Sequence, residues 1–322
     1  MPLPVGKSLR QTFGEAVAEL ANEDPRILML DGDLGSSTRA DLFEKAHPDR
    51  YLPMGIAEQN MLGVAAGLAT MGFIPFISTF VVFAVARALD QVRVLVAQPG
   101  LPVKITAGYS GLLTGMAGKT HQSVDDIAIM RTLPHMTVFS PADEIETRGV
   151  LRAAVEIDGP VYVRLARDPG PVLFDASYRF DAGRAVVVRE GRDVTLIGTG
   201  VQTGRVVEAA ELLAAEGIEA HVLHVPTIKP LDAAAIVAAA ERTGLVVTVE
   251  EHSVFAGLGG AVAEVLGERR PLPVRRLGLQ DVYGESGPNE ALLEKYGLSA
   301  RRVAEAVRAF LRERADDGGG GE

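Results

Sequence analysis

The chain has 322 residues, of which 47% are hydrophobic, and a formal net charge of -10 at pH 7. Two ordinary domains fit this length, because a single core usually stops growing at about 250 to 300 residues. The acidic balance argues against a nucleic-acid partner, since affinity for nucleic acid comes largely from clustered Lys and Arg. The absence of cysteine excludes a disulfide framework, a thiolate metal site and a cysteine nucleophile.

The N-terminus shows no apolar segment typical of a secretory signal, so we expect a cytoplasmic location. Residues 59–86 contain no charged side chain, and a run of this length could cross a membrane. Gly72, Pro75 and Ser78 interrupt this run. We therefore predict that it forms buried core and that the chain has no membrane partner.

The first half of the chain alternates helical and strand patterns. Apolar residues recur at helical intervals over 9–23, and a short apolar strand follows at 27–30. The alternation continues with helices predicted at 59–71, 83–96, 124–131 and 143–157, and strands at 73–78, 103–106, 137–139 and 161–165. Nearly continuous apolar strands between helices are typical of a parallel sheet covered on both faces.

The second half repeats this pattern after a break. Residues 168–192 are rich in Pro, Gly and mixed polar residues and are predicted to connect two domains. Beyond them, strands are predicted at 194–198, 220–225 and 245–249, and helices at 204–216, 232–242 and 259–266. We predict an α/β protein of two domains, 1–180 and 190–314, each a mostly parallel sheet covered by helices, and a disordered tail at 315–322.

Three segments of the first half could carry chemistry. Glu58 begins a helix that is otherwise uncharged and rich in Ala and Gly. Its carboxylate would either lie at the edge of a dry core or be an ordinary first-turn acid that the helix dipole stabilises. Phe80 and Phe83 follow a strand, and they fit either core or a cofactor contact. His121 lies in a polar loop that follows a glycine-rich segment and opens a helix, as a substrate-facing residue would.

In this order and spacing, these segments resemble the pyrimidine-binding domain of transketolase and of its relative deoxyxylulose-phosphate synthase, over residues 9–171. Residues 246–265, which include Glu250-Glu251-His252, resemble the family's C-terminal domain. The further domain that full-length transketolases carry ahead of these two is not part of the resemblance. The implied fold is the thiamine diphosphate-binding fold of the pyrimidine domain followed by a transketolase C-terminal-like domain.

The resemblance implies thiamine diphosphate as cofactor. In this family the cofactor's aminopyrimidine acts as the base, which requires a carboxylic acid to share a proton with the ring nitrogen. Glu58 occupies the position of that acid. Phe83 matches the residue that stacks on the pyrimidine, with Phe80 beside it, and Asp33 falls at the family's subunit interface near the cofactor.

The resemblance also implies substrate contacts. His121 matches the histidine that touches the reacting hydroxyl groups, as a hydrogen-bond donor or proton carrier. Arg167 matches the position that grips the phosphate of a sugar phosphate, although a solvated loop arginine would look the same in the sequence. Ser37 falls near another phosphate-contact position.

Three departures from the family pattern concern the substrate. Ala86 replaces a tyrosine that often flanks the pyrimidine, and Ala117 replaces an aspartate four residues before the histidine. Gly108 and Tyr109 stand where family members often have a histidine. We therefore expect a two-carbon ketol transfer between sugars or sugar phosphates, with an altered donor or acceptor.

The other end of the cofactor requires a site that this chain does not show. Mg²⁺ or Ca²⁺ and the diphosphate would be bound mainly by a partner subunit, which implies an α2β2 assembly and no metal ligand here. The turn at 31–33, with Asn60, imitates a metal and diphosphate motif in the wrong order, and residues 257–260 imitate a dinucleotide fingerprint without its spacing.

Two other functions fit the same residues. The beta chain of a thiamine-dependent 2-oxo acid dehydrogenase component has the same two-domain layout and the same glutamate. The loop that contains His121, and the helix after it, favour transketolase. A noncatalytic subunit that keeps the fold without the chemistry is the other alternative.

Overall fold

The structure, a computed structural model, describes residues 3–318. The strands are β1 Val5–Ser8, β2 Ile27–Asp31, β3 Tyr51–Pro53, β4 Ile74–Phe80, β5 Lys104–Gly108, β6 Thr137–Phe139, β7 Val161–Arg164, β8 Pro169–Pro171, β9 Val186–Arg189, β10 Val194–Gly198, β11 Ala220–His224, β12 Thr227–Lys229, β13 Val246–Ser253 and β14 Val274–Leu279. The α-helices are α1 Leu9–Glu23, α2 Gly35–Thr38, α3 Asp41–Ala46, α4 Glu58–Thr70, α5 Leu89–Gln91, α6 Asp126–Thr132, α7 Glu144–Glu156, α8 Gln202–Ala214, α9 Ala233–Thr243, α10 Leu258–Arg269, α11 Asn289–Lys295 and α12 Ala300–Gly318.

The first sheet has seven strands in the order β12-β6-β7-β5-β4-β2-β3, and all except β12 come from the first half of the chain. Neighbouring strands in this sheet are parallel, except that β12 and β6 are antiparallel. Every residue of β4 is buried, and α4 buries one side, whereas Gln59, Asn60 and Met71 of the uncharged run are exposed. Within residues 3–318, no helix is long and apolar enough to cross a membrane.

The second half forms a sheet of five strands in the order β14-β13-β10-β11-β9, with only β9 antiparallel to its neighbour. Helices α8, α9 and α10 alternate with these strands along the chain. The prediction of two α/β units, each with a mostly parallel sheet and flanking helices, is confirmed.

The two halves are joined by more than the connecting chain. Strand β12 comes from the second half but completes the edge of the first sheet. Glu146 on α7 and His224 on β11 form a fully buried pair, with 2.8 Å between Oε2 and Nε2. The second half therefore holds the first through both backbone and side-chain contacts.

Several local predictions were wrong. The helix expected at 83–96 is interrupted, because π-helical turns at Phe83–Arg87 and Val92–Ala97 flank the short α5. The connection at 168–192 contains β8, which pairs with β1, and β9, which joins the second sheet ahead of position 190. Helix α12 continues to Gly318, so the expected disordered tail does not begin at 315, and residues 319–322 lie outside the described part of the chain.

Candidate active site

The candidate site lies where the parallel strands of the first sheet end, at their carboxyl ends. Parallel strands bring their carboxyl ends to the same edge, where ligands of open α/β sheets bind. Strands β2, β4, β5 and β7 run parallel in this sheet. Their ends place Asp33, Phe80, Tyr109 and Arg167 at this edge.

Glu58 is the buried acid of the site. It begins α4 and is only 1% exposed. Arg87 Nη1 donates to both carboxylate oxygens at 2.9 Å. A carboxylate taken out of water requires such a charged partner or a proton, and in this structure the partner is a half-exposed arginine.

Aromatic rings form a second group of the site. The rings of Phe80 and Phe83 are stacked with 5.8 Å between their centroids, and Tyr109 lies 3.8 Å from Phe80. His121 presents its edge to both phenylalanines, at 5.9 Å from Phe80 and 5.7 Å from Phe83. The structure thus brings both phenylalanines and His121 into contact, and Arg87 links this group to Glu58.

The loop that carries His121 is fastened to the second half of the chain. The Glu251 carboxylate accepts hydrogen bonds from the backbone N–H groups of Leu112 and Leu113, at 2.6 and 3.0 Å. Gln122 Nε2 donates to the carbonyl of Glu285 at 2.9 Å. His121 itself is half-buried, and its Nδ1 lies 2.9 Å from the hydroxyl of Thr120. The loop is therefore positioned by both halves of the chain.

Arg167 contacts the side chains of both Asp168 and Tyr109. Its Nη1 donates to the Asp168 carboxylate at 2.7 Å, and its guanidinium carbon is 5.4 Å from the centre of the Tyr109 ring. A hydrogen bond to Tyr109 and the nearby Asp168 carboxylate raise the pKa of Arg167. Asp168 also accepts a hydrogen bond from Asn289 at 2.7 Å.

Ser37 and Asp33 lie beside this group on the loop and helix after β2. The carbonyl of Ser37 accepts a hydrogen bond from Arg10 Nη1 at 2.7 Å, and the same nitrogen lies 3.2 Å from the Tyr109 hydroxyl. Asp33 is exposed and has left-handed backbone, with φ of 63°. The structure places both residues at the predicted edge, while their roles remain predictions.

Residues 31–33 and 257–260, which resemble ligand-binding motifs in the sequence, have structural roles. Asp31 is buried and accepts hydrogen bonds from the backbone N–H groups of Leu34 and Gly35, and burial raises its pKa. Glu250 accepts hydrogen bonds from the first backbone N–H groups of α10, at Leu258 and Gly259. Among residues 3–318, no group of three or more His, Asp or Glu side chains could hold a metal ion.

Four residues of the site were not predicted from the sequence: Arg10, Arg87, Asp168 and Asn289. Arg87 follows Phe83 by one helical turn, and this spacing could have indicated a cation over the ring. Asp168 directly follows Arg167 and could have been recognised as an adjacent counter-charge. Arg10 and Asn289 reach the site from distant parts of the chain, and no local pattern marks them.

The residues present fit an aminopyrimidine. The Arg87 guanidinium, a planar group with N–H donors, lies 4.3 Å from the centre of the Phe83 ring and donates to Glu58. An aminopyrimidine would need the same two contacts, an aromatic surface and a carboxyl partner. The geometry thus provides a place for a flat nitrogen heterocycle, at present covered by a side chain of similar shape.

The comparisons with known proteins agree with this geometry. Residues 6–171 match the model of the transketolase pyrimidine binding domain, and residues 183–303 match that of the transketolase C-terminal domain. A 6-deoxy-6-sulfo-D-fructose transketolase subunit, SqwH, of Clostridium sp. (strain MSTE9) is 44% identical, with 93% of each chain covered. An apulose-4-phosphate transketolase subunit of Phocaeicola vulgatus is 37% identical, covering 94% of this chain and 97% of that one.

A solved structure gives the same result. The fold superposes on a split gene transketolase, described as an inactive beta4 tetramer, with a TM-score of 0.89 and 50% identity. The match covers 95% of this chain and 99% of that one. The chain belongs to the transketolase family and comprises its pyrimidine-binding and C-terminal domains.

Proposed function

We propose that this chain is the C-terminal, or beta, subunit of a split transketolase-like enzyme that transfers a two-carbon ketol unit between sugars or sugar phosphates. The observation that carries the proposal is the buried carboxyl of Glu58 at the head of α4, which Arg87 links to the Phe83 ring. The chemistry that thiamine diphosphate supplies when bound is a nucleophilic thiazolium carbon. This chain supplies the acid and the aromatic surface for its pyrimidine end.

Each site residue has a proposed role. Glu58 holds the proton that it shares with the ring nitrogen, and Phe80 and Phe83 exclude water and orient the ring. His121, whose ring lies against both phenylalanines, donates to the reacting hydroxyl groups of the substrate. Arg167 and Ser37 lie farther along the edge, where they contact the remainder of the substrate. Asp33 contacts the subunit interface near the cofactor.

The partner subunit supplies the diphosphate and metal site. We infer an α2β2 assembly in which the partner's N-terminal domain binds Mg²⁺ or Ca²⁺ and each active site lies between two chains. The names of the relatives support a divided enzyme, since the Clostridium and Phocaeicola proteins are each described as one subunit of a transketolase. The beta-only tetramer of the solved relative is described as inactive, which supports the need for a partner.

One reconstitution tests the proposal. The purified chain with thiamine diphosphate and Mg²⁺ should give no turnover, and addition of the partner chain should give ketol transfer. In the complex, Glu58→Gln should lower the rate by roughly 10²-fold or more, because proton sharing with the ring nitrogen is lost. The matched control is Glu44→Gln, which makes the same change at an exposed carboxylate of α3. Turnover by the chain alone, or full activity of Glu58→Gln, would contradict the proposal.

Assays of the same reconstituted complex distinguish two other functions. Release of carbon dioxide from 2-oxo acids, without ketol transfer, would assign the chain to the 2-oxo acid dehydrogenase class. Absence of both reactions in a complex that binds thiamine diphosphate would favour a noncatalytic subunit. The convergence of Glu58, Phe83 and His121 on one edge supports the catalytic function.

A further inference from the structure

A cavity of about 340 Å³ opens beside the aromatic rings of the site. It lies where the two halves of the chain meet, and its walls include Tyr109, Thr114, Arg167, Asp168 and Asn289. The Tyr109 ring forms part of this wall and also stacks on Phe80 at 3.8 Å. The cavity therefore continues from the candidate active site toward the position of the remainder of a substrate.

The lining of this cavity carries one positive and one negative side chain, which are paired with each other. Arg167 and Asp168 are the charged residues of its lining, and they are joined by a 2.7 Å hydrogen bond. Asn289 donates to the second carboxylate oxygen of Asp168 at 2.7 Å, which fixes that side chain against the arginine. A phosphate dianion that approached Arg167 would also face the Asp168 carboxylate, and like charges at such distances repel.

A hydroxyl group in the same wall lacks a partner. Thr114 is 4% exposed, and its Oγ1 is buried without a hydrogen bond in the described part of the chain. A buried hydroxyl usually has a partner, so this one is available to pair with a group that enters the cavity. A sugar hydroxyl, which both donates and accepts, matches this group.

We propose that this cavity binds an uncharged, hydroxylated tail of the sugar substrate and that Asp168 is a specificity-determining residue that disfavours a phosphate. The inference rests on the proposed ketol transfer and specifies its substrate class. It assigns Arg167 a different task from phosphate binding: held by Asp168 and Tyr109, its guanidinium presents hydrogen-bond donors to hydroxyl groups. Thr114 and Asn289 complete the polar wall.

The first experiment compares two donors in the complex with the partner chain, thiamine diphosphate and Mg²⁺. D-xylulose and D-xylulose 5-phosphate differ only in the terminal phosphate. The wild type should show the higher kcat/KM for D-xylulose. Asp168→Asn should raise the ratio of kcat/KM for the phosphate ester to kcat/KM for D-xylulose by about tenfold or more, mainly through a lower KM for the phosphate ester, since one repulsive charge is removed.

Two further variants check that the effect is specific. Asp181→Asn makes the same change at an exposed aspartate and should leave the donor preference unaltered. Thr114→Val should raise KM for D-xylulose at least about fivefold with little change in kcat, because a substrate hydroxyl loses its partner. A wild-type preference for the phosphate ester that Asp168→Asn leaves unchanged would overturn the inference.

The second experiment does not depend on turnover. Ligand-observed NMR on the chain with D-arabitol and D-arabitol 5-phosphate measures binding of tails that cannot react. D-arabitol should bind the wild type and bind Thr114→Val less well, while the phosphate ester should gain affinity in Asp168→Asn. Tighter wild-type binding of the phosphate ester contradicts the inference even if no donor is turned over, whereas inactivity toward both xyluloses with the expected arabitol binding contradicts only the proposed function.

Discussion

Glu58 and Arg87 show how a neighbouring side chain holds a buried acid. The guanidinium donates to both carboxylate oxygens at 2.9 Å and covers the Phe83 ring at 4.3 Å. These contacts occupy both carboxylate oxygens and the aromatic surface with one side chain. Proton sharing with a ring nitrogen would require the acid form and the same ring surface, so Arg87 must move before the proposed cofactor can bind.

Replacement of Arg87 should therefore favour cofactor binding. In the reconstituted complex, Arg87→Met should lower the Kd for thiamine diphosphate by about threefold to tenfold, because a partly exposed ion pair worth roughly 1 kcal/mol no longer has to be broken. Isothermal titration calorimetry measures this change. Arg93→Met, in the following π-helical turn and more exposed than Arg87, is the control. An unchanged or higher Kd in Arg87→Met would show that Arg87 does not compete with the cofactor.

At this scale the sequence predicts residues whose neighbours along the chain define their surroundings. The apolar helix that follows Glu58 and the polar loop around His121 made both residues candidates, and their proposed roles came from the resemblance to transketolase. Arg87 and Asp168 required coordinates, because their functions depend on which group lies across the site. Arg167 was identified by its position, while its neutralised charge became apparent only from its contacts.

At the scale of elements, the loop between β5 and α6 depends on strand β13. Glu251 Oε1 accepts hydrogen bonds from the backbone N–H groups of Leu112 and Leu113, at 2.6 and 3.0 Å. The approach is so close that a Cβ at Gly111 would lie 2.0 Å from the same oxygen, and Gly111 has φ of 66°. A glycine is needed there because the second half of the chain presses against the loop backbone.

Loss of the contact between Glu251 and the loop should affect both protein stability and substrate binding. Glu251→Ala leaves two buried N–H groups without an acceptor and should lower the free energy of unfolding by about 2 to 4 kcal/mol. It should also raise KM, since the loop carries His121. Glu264→Ala on α10, whose ion pair with Arg131 is largely exposed on the acidic side, should cost under about 1 kcal/mol. Urea unfolding distinguishes these outcomes, and equal small losses in both variants would contradict the anchoring role.

The elements that were predicted from the sequence are those with a clear local period. Buried strands such as β4 and amphipathic helices such as α7 show it. The short strands β9 and β12 were missed because they form by pairing with distant partners, which no local pattern records. The interruption of the helix at 83–97 was missed for a related reason, since a π-helical turn changes hydrogen-bond spacing without changing composition.

At the scale of the whole molecule, the two halves act as one folded body around buried polar pairs. His224 Nε2 lies 2.8 Å from Glu146 Oε2, and its Nδ1 lies 2.7 Å from the hydroxyl of Thr203. Tyr178 donates to the other oxygen of Glu146. The two-domain architecture followed from alternating periods in the sequence, but this joint between the domains depends on side chains separated by tens of residues.

One buried charge makes the stability of this whole body depend on pH. Lys104 on β5 is fully buried, and its Nζ donates to the carbonyls of Ile157 and Gly159 at 2.6 and 2.9 Å. Burial lowers the pKa of Lys104 from 10.5 to about 7. Between these two values the unfolded chain binds more protons than the folded chain, so the free energy of unfolding rises with pH.

The size of the effect can be measured by comparison with a variant. From about pH 7.5 to about pH 9, Lys104 should add about 2 kcal/mol to the free energy of unfolding, since one pKa unit corresponds to about 1.4 kcal/mol. Lys104→Met lacks this contribution, so the difference between wild type and variant should change by that amount in the wild type's favour. Lys45→Met, at an exposed lysine, should show a constant difference. Urea unfolding at both pH values provides the measurement, and a constant difference for Lys104→Met would mean that Lys104 keeps an ordinary lysine pKa in the folded chain.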